Sequence, residues 1–325
     1  MKILLDLVLL LVGFVFLIKG ADYFVEGSAA VAKKFNIPGV VIGLTIVAMG
    51  TSAPELAVSV SAGIAGSNAL AISNVIGSNI FNLMVVLGVC AILSPVAVEK
   101  DIVKRDFPFS LIATVLVGLF ISDIVFKGSV AEVNGFAQSG TIRRWEAVIL
   151  LIFFVMYMYI TVRSAIKNRE AGEEIESLPV WKSLTFIILG AAAIIGGGQL
   201  VVNSAKAIAL FCGMSETLVG LTIVAIGTSL PELVTSIVAS KKGQNGMAVG
   251  NVVGSNIFNL LMILGVSSSI NPIVSSIESV VDISVLLVLS ILILIFCRTR
   301  GKINRTEGFV MVLLYAAYTF YAIIR

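Results

Sequence analysis

Ten long apolar runs follow one another along the chain and limit what it can fold into. Each is close to the roughly 20 apolar residues that a helix needs to cross a membrane. Because every backbone N–H and C=O group must be paired inside a bilayer, such runs form bundles of helices. The runs cover residues 3–25, 37–63, 69–96, 107–126, 145–165, 182–205, 214–239, 247–271, 279–297 and 307–324. They predict an all-α polytopic membrane protein with ten transmembrane helices.

The composition excludes several classes of protein. Hydrophobic residues make up 58% of the chain and charged residues only 13%, whereas soluble domains contain about 25% charged residues. This argues against a soluble enzyme and against a disordered chain, and the net charge of +3 is too small for a nucleic-acid-binding surface. The chain has no histidine and offers no pairing of a nucleophile with a base, so we expect neither an enzyme nor a bound cofactor.

Two motifs occur twice, and both pairs are separated by 177 positions. The first motif covers residues 43–59 and 220–236 and is identical at 13 of 17 positions; the second covers residues 73–88 and 250–265 and is identical at 11 of 16. The same offset extends back to the first apolar run, which pairs with residues 182–205. For this reason we expect the first run to stay in the mature protein, although Lys2 and the apolar residues after it resemble a signal peptide.

An odd number of spans in each half would place the two halves in opposite orientations. We therefore predict two inverted five-helix repeats, residues 1–165 and 182–325, joined by a cytoplasmic linker at residues 166–181. If both termini lie outside, fifteen of the 22 basic residues fall on the inner side, as the excess of Lys and Arg in cytoplasmic loops requires.

Two glutamates interrupt the middle of apolar runs at equivalent positions of the repeat. Glu55 and Glu232 are the only acidic residues so placed, and a charge at the centre of a bilayer costs at least about 2.5 kcal/mol. Such residues either pair with a buried basic residue or carry a function. The nearest basic candidates, Lys19 and Lys206, lie toward the ends of their runs. The sequence therefore favours a site for a cation.

The residues around these glutamates supply oxygen atoms, which are the ligands that hard cations prefer. Pro54 and Pro231 each precede a glutamate and remove a helix N–H group, which frees a carbonyl one turn earlier. In the second motif Asn74, Ser78 and Asn82 are four residues apart and share one helical face. Asn74 and Asn79 could equally be structural, by tying helices together.

The paired GTSxPE and GNxxGSNIFN signatures resemble those of the calcium/cation antiporter superfamily, and most closely its prokaryotic sodium/calcium exchanger branch. The resemblance covers nearly the whole chain. It implies ten helices, of which the second, third, seventh and eighth form the ion-binding core. The first and sixth would form a tilted pair that slides across this core.

The resemblance also implies roles for individual residues. Glu55 and Glu232 would be the central calcium ligands, with the backbone carbonyls of Thr51 and Thr228. The flanking sodium sites would use Ser52, Ser78, Ser229 and Ser255 with the carbonyls of Ala48 and Ala225, and Asn82 and Asn259 would hold the middle position. Some relatives carry Asp where this chain has Asn259, which leaves the sodium number and a potassium dependence open.

These observations together predict an antiporter that exchanges Na⁺ for Ca²⁺ by alternating access. The alternatives are coupling to K⁺ or H⁺, and a passive cation channel. We expect a functional monomer in a prokaryotic inner membrane, with Ca²⁺ and Na⁺ as substrates and the lipid bilayer as its surroundings.

Overall fold

A computed structural model describes residues 2–66, 68–122, 131–133, 136–167, 178–214 and 225–324. These residues are mostly helical. The helices, numbered along the chain, are α1 (Lys2–Lys34), α2 (Gly39–Thr51), α3 (Ala53–Ile64), α4 (Leu70–Leu93), α5 (Phe107–Ile121), α6 (Arg144–Lys167), α7 (Val180–Phe211), α8 (Leu230–Lys241), α9 (Asn245–Ile270), α10 (Ile277–Arg300) and α11 (Arg305–Ile324).

Seven helices within the described ranges are long and apolar enough to cross a membrane, or eight if the bent pair α2–α3 is one span. The chain is therefore an integral membrane protein. The other two apolar runs of the sequence correspond to shorter helices. Helix α5 follows a π-helical segment at Ile102–Asp106, and α8 follows a single helical turn at Ala225–Gly227. Residues 215–224, which begin the seventh run, lie outside the described residues.

Helices α1 and α7 form a long antiparallel pair. They contact each other through glycines: a Cβ atom added at Gly197 would lie 2.8 Å from the carbonyl oxygen of Gly13, and one at Gly190 would lie 2.8 Å from that of Gly20. Glycine is needed at such a crossing because any side chain would push the two backbones apart. In the apolar 18-residue stretch of each helix, only 17% of α1 and 28% of α7 is buried, so the pair lies at the edge of the bundle.

The centre of the bundle is formed by α4 and α9, whose apolar 18-residue stretches are 78% and 89% buried. Helices α2, α3 and α8 pack directly against these two, and α5, α6, α10 and α11 surround them. Residues such as Ile80, Met84, Leu260 and Leu261 are fully buried there. The central helices are thus shielded from lipid on most sides, which is the environment in which polar side chains can be held inside a membrane.

Two small antiparallel sheets connect loops between the helices. Strand β1 (Val96–Ala97) pairs with β5 (Lys302–Ile303), and β3 (Phe136–Ile142) lies between β2 (Ala131–Val133) and β4 (Ile273–Ser276). The prediction of an all-α chain missed these strands, because four of the five have only two to four residues and so short a segment in a loop carries no periodicity that distinguishes a strand. Each sheet joins loops that the predicted topology places on the same side of the membrane.

The glycine crossing leads to a prediction about stability. We expect Gly197→Leu to lower the thermal unfolding midpoint of the purified protein, because its side chain would meet the backbone of α1 at Gly13 and Leu17; overpacking of this kind costs about 1–3 kcal/mol. The matched control is Gly196→Leu, since a Cβ atom at Gly196 meets nothing within 4 Å. Equal midpoints for the two variants in a detergent thermal-shift assay would contradict the close crossing.

Candidate ion-binding site

Both glutamates sit just after a break in a helix. Helix α2 ends at Thr51, Ser52 leaves the helical conformation with φ −82° and ψ 8°, and α3 begins at Ala53 with an axis bent by 49°. Ser229 has nearly the same conformation ahead of α8, with φ −94° and ψ 5°. Pro54 and Pro231 lie in the first turns that follow, where the missing N–H costs no hydrogen bond.

The breaks place Glu55 and Glu232 in the first turns of α3 and α8. The partial positive charge at a helix N-terminus favours an anionic side chain at this position. Both glutamates have 0% solvent exposure. The backbone therefore provides part of the stabilisation that two buried carboxylates require.

The two carboxylates are held by serines from the opposite half of the chain. Ser229 Oγ donates a hydrogen bond of 3.0 Å to Oε1 of Glu55, and Ser52 Oγ donates one of 2.7 Å to Oε1 of Glu232. The Oε2 atoms of both glutamates are buried and have no hydrogen-bond partner among the described residues. Each carboxylate is thus fixed by one oxygen and keeps the other for a further ligand.

A buried basic partner for these glutamates is not present in the described part of the chain. Every ion pair recorded there involves other residues, and Lys19 and Lys206 are exposed on the α1–α7 pair. The alternative reading of the glutamates as half of a structural salt bridge therefore has no support from the described residues.

Asn82 and Asn259 add two more oxygen atoms to this region. Asn82 Nδ2 donates to Oδ1 of Asn256 at 3.2 Å, and Asn259 Nδ2 donates to Oδ1 of Asn79 at 3.1 Å. Since the amide nitrogens are engaged, the Oδ1 atoms of Asn82 and Asn259 are left buried and without a partner within the described ranges. An unpaired buried oxygen is costly, and a bound cation would offset that cost.

The remaining asparagines hold the helices together. Asn79 and Asn256 each donate to the backbone carbonyl of the other at 3.2 Å, which joins α4 to α9. Asn74 donates to the carbonyl of Glu55 and, at 2.9 Å, to Ser59 Oγ. The sequence allows either a ligand or a structural role for Asn74 and Asn79; the contacts that the structure shows for their amide groups are interhelical hydrogen bonds.

The other candidate residues lie around the same centre. Thr51 Oγ1 donates to Oδ1 of Asn251 at 3.0 Å, and Thr228 Oγ1 donates to Oδ1 of Asn74 at 3.4 Å, so both hydroxyl groups already have a partner. Ser255 Oγ lies 3.4 Å from Oε1 of Glu232 and 3.5 Å from the carbonyl oxygen of Ala48.

Ser78 and Ala225 complete the candidate set. Ser78 is buried on α4, and its Oγ has no hydrogen-bond partner among the described residues. Ala225 begins the helical turn that precedes Ser229. All twelve candidate positions therefore lie on the helix breaks or on the central helices that contact them.

One feature of the site was missed by sequence reasoning. A π-helical segment begins at Asn82 in α4, and another, Phe258–Ile263, contains Asn259 in α9. Such wide turns inside α-helices are frequent at functional sites. Apart from the two asparagines the residues in them are apolar, like the rest of these central helices, so no pattern in the sequence distinguishes them.

Comparison with known proteins agrees with this arrangement. Residues 5–163 and 182–324 match the family described as "Sodium/calcium exchanger protein". The putative antiporter CaxA of Alkalimonas amylolytica is 37% identical, over 96% of this chain and 97% of that protein. The sodium/calcium exchanger MaX1 of Methanosarcina acetivorans is 35% identical, over 97% and 98%.

The fold is also similar to a solved structure of the sodium-calcium exchanger NCX_Mj, soaked with Na⁺ and Sr²⁺. The two chains superpose with a TM-score of 0.83 at 34% sequence identity, and the match covers 99% of this chain and 100% of the other. The chain thus belongs to the sodium/calcium exchanger family, a family of membrane transporters and not of enzymes.

Proposed function

We propose that this protein is a secondary active antiporter that exchanges Na⁺ for Ca²⁺ across the membrane. The observation that carries the proposal is a pair of fully buried glutamates, each with one oxygen atom unpaired and with no basic partner among the described residues. Two carboxylates of this kind need cations to balance their charge. Membership of the exchanger family and the names of the relatives support Na⁺ and Ca²⁺ as those cations.

Shared ligands make the two ions compete. Glu55 and Glu232 together carry two negative charges, which one Ca²⁺ or two Na⁺ can neutralise. Once one set of ions is bound, no uncompensated carboxylate is left for the other, so loading one kind of ion expels the other. Both ions are hard cations, and the unpaired oxygens of the glutamates and of Asn82 and Asn259 are ligands that suit them.

The roles of individual residues are those that the family resemblance implies, and the atoms that remain available are compatible with them. Glu55 and Glu232 are central calcium ligands through their unpaired Oε2 atoms, and Thr51 and Thr228 contribute their backbone carbonyls. The Oδ1 atoms of Asn82 and Asn259, which have no hydrogen-bond partner among the described residues, serve the middle ion position, between the flanking sodium sites. The flanking sodium sites use the remaining candidates: Ser52, Ser78, Ser229, Ser255, and the carbonyls of Ala48 and Ala225.

The architecture of this proposal is two inverted five-helix repeats with ten spans, residues 1–165 and 182–325, joined by a linker at 166–181. Two observations support it. Helices α1 and α7, which are related by the 177-residue offset, run antiparallel. The site contacts also come in pairs with the same offset, such as Ser52 with Glu232 and Ser229 with Glu55. The positive-inside count favours an orientation with both termini outside.

Alternating access would come from sliding of the α1–α7 pair over the core. This pair is mostly exposed, whereas the helices that carry the site are buried. A rigid-body movement of an exposed pair would leave the central hydrogen bonds intact, and such movements are the usual route in transporters built from repeats. We further propose that the protein functions as a monomer in a prokaryotic inner membrane.

The exchange itself can be tested in proteoliposomes. With Ca²⁺ outside, we expect uptake when Na⁺ is loaded inside and little uptake when choline replaces it, because each calcium ion must displace sodium from the shared site. Imposed K⁺ and H⁺ gradients, applied in turn without Na⁺, test the two other couplings. A Ca²⁺ flux that ignores the ions on the opposite side would identify a channel and would overturn the antiporter proposal.

The central ligands are tested by charge removal. We expect Glu55→Gln or Glu232→Gln to reduce Na⁺-dependent Ca²⁺ uptake to the level of empty vesicles, because one remaining carboxylate cannot balance a divalent ion. The amides keep the size of the side chain, so size-exclusion profiles should remain those of folded protein. Glu278→Gln, at an exposed position on α10, is the matched control. Substantial exchange in a well-folded central variant would refute the assignment.

Asn259 tests the ion selectivity of the site. Asn259→Asp adds a third negative charge and replaces the donor to Asn79 Oδ1 with an acceptor. We expect the concentrations of Na⁺ and K⁺ that support Ca²⁺ uptake to change more than the thermal stability does. Asn245→Asp, at the start of α9, carries the same change in charge away from the site. Unchanged ion dependence in Asn259→Asp would place Asn259 outside the ion-binding region.

A further inference from the structure

The inner half of α1 packs against the core through an apolar cluster, which we call the inner contact. Its members include Phe24, Val25 and Ala32 on α1, Ile42 and Val47 on α2, Ala239 on α8, and Met247 and Ala248 on α9. Phe24 lies at the end nearest the ion-binding site, because a Cβ atom added at Gly50, next to Thr51, would be 2.8 Å from its ring. In the predicted topology α1 ends on the inner side of the membrane, so the inner contact lies between the site and that side.

Two buried hydroxyl groups lie along this contact without a hydrogen-bond partner. Ser28 is four residues after Phe24 and therefore shares a face of α1 with it. Thr235 on α8 is three residues after Glu232 and four before Ala239. Both hydroxyl-bearing side chains are 0% exposed, and neither Ser28 Oγ nor Thr235 Oγ1 has a partner among the described residues. Each of the two helices thus carries one unpaired hydroxyl group about one turn beyond the site.

Other buried hydroxyl groups in the helices are satisfied locally. Thr45, Thr114 and Ser290 each donate to the backbone carbonyl four residues earlier, at distances of 2.6 to 2.9 Å. A buried hydroxyl group without such a bond costs free energy. The repeat does not account for the two exceptions, because the equivalents of Ser28 and Thr235 are Ala205 and Val58. The unpaired hydroxyls therefore belong to the inner half of the protein and not to the paired site.

We propose that Ser28 and Thr235 form a transient cation-binding position between the main site and the inner side of the membrane. The proposal rests on the antiport proposed above. When α1 slides away from α2 and α8, the inner contact opens, and both hydroxyl oxygens become available to a Na⁺ or Ca²⁺ ion that leaves the glutamates. Hydroxyl oxygens are ligands that suit hard cations. Because these ligands carry no charge, they bind the ion weakly enough for it to move on, as ion conduction requires.

The two hydroxyl groups also affect the balance between closed and open states. In the closed inner contact they raise the free energy, because they are buried without partners. In the open state the passing ion and its water satisfy them. Their removal should therefore stabilise the closed state and slow the passage of ions. A purely structural role would have the opposite consequence, since the loss of a structural hydrogen bond destabilises the fold.

The first test removes each hydroxyl group with little change in side-chain size, in Ser28→Ala and Thr235→Val. We expect an unchanged or higher thermal unfolding midpoint and an about fivefold slower Na⁺-dependent Ca²⁺ uptake in proteoliposomes, which is the effect of losing one hydrogen-bonding ligand. Ser290→Ala on α10 is the matched control. Its hydroxyl group is paired, so its midpoint should fall while uptake per folded protein stays the same. A lower midpoint with unchanged uptake in the two test variants would overturn the proposal.

The second test locates the position by thiol labelling. Ser28→Cys and Thr235→Cys are made in a full-length chain whose three native cysteines are replaced by alanine. A membrane-impermeant thiol reagent is then applied to each side of sealed vesicles. We expect both cysteines to react from the side on which Lys241→Cys reacts, because Lys241 is exposed at the end of α8 and opening of the inner contact exposes the other two. Ser290→Cys, which is buried away from this contact, should not react.

Failure to label either position, or labelling from the opposite side, would overturn the proposal. The labelling does not depend on which ions are exchanged. A Ca²⁺ flux that ignores the ions on the opposite side would refute the antiport but would leave the labelling pattern unchanged, so the failure of one proposal can be distinguished from the failure of the other.

Discussion

The rest of the structure depends on two carboxylates that are buried at the centre of a membrane protein. A carboxylate in this environment is stable only if hydrogen bonds, dipoles and cations replace the water it has lost. The helix breaks at Ser52 and Ser229 place each glutamate at a helix N-terminus, and the crossed serine hydroxyls satisfy one oxygen of each. Among the described residues no ion pair supplies a positive charge to either glutamate. In the proposed function cations supply that charge, and the two kinds of ion compete because they share the same carboxylates.

The crossed contacts make the two halves mutually dependent. Ser52 serves Glu232, Ser229 serves Glu55, and Asn79 and Asn256 exchange amide–carbonyl bonds across the centre. The serine that donates to Glu55 comes from the other half, and so does the nearer of the two serines that donate to Glu232, since Ser255 of its own half lies farther away at 3.4 Å. This reciprocity gives a physical reason for the two motifs to retain the same polar residues: a change in one copy removes a partner from the other.

Much of the central site could be predicted from the sequence, because its signals are local. A proline beside a glutamate in an apolar run predicts a broken helix around an ion, and Pro54 with Glu55 lies at such a break. Family resemblance added the candidate ligands, whose roles remain proposals. Other features depend on neighbours that the sequence does not reveal. The orientation of the Asn82 amide is set by Asn256 from another helix, and the short strand β1 exists only because β5 lies beside it.

Residues at equivalent positions of the 177-residue repeat make equivalent contacts in the ion-binding site. They do not do so where the α1–α7 pair meets the core. Lys242, at the end of α8, lies 2.6 Å from Oδ1 of Asp22 and 3.7 Å from Oε2 of Glu26, both on α1. The repeat mates of Asp22 and Glu26 are Gln199 and Asn203, which hydrogen-bond to each other within α7 at 2.9 Å.

In the proposed orientation the ion pair between Lys242 and α1 lies on the inner side only. If the pair of helices slides, the movement breaks this charged contact with the core, whereas the bond between Gln199 and Asn203 lies within α7 and is kept, so two access states built from the same repeat need not have equal free energies. Exposed ion pairs are worth about 0–1 kcal/mol, which is enough to bias such an equilibrium by up to roughly fivefold. In the proposed exchanger, the asymmetric contacts around the paired site therefore contribute to which side of the membrane the site faces.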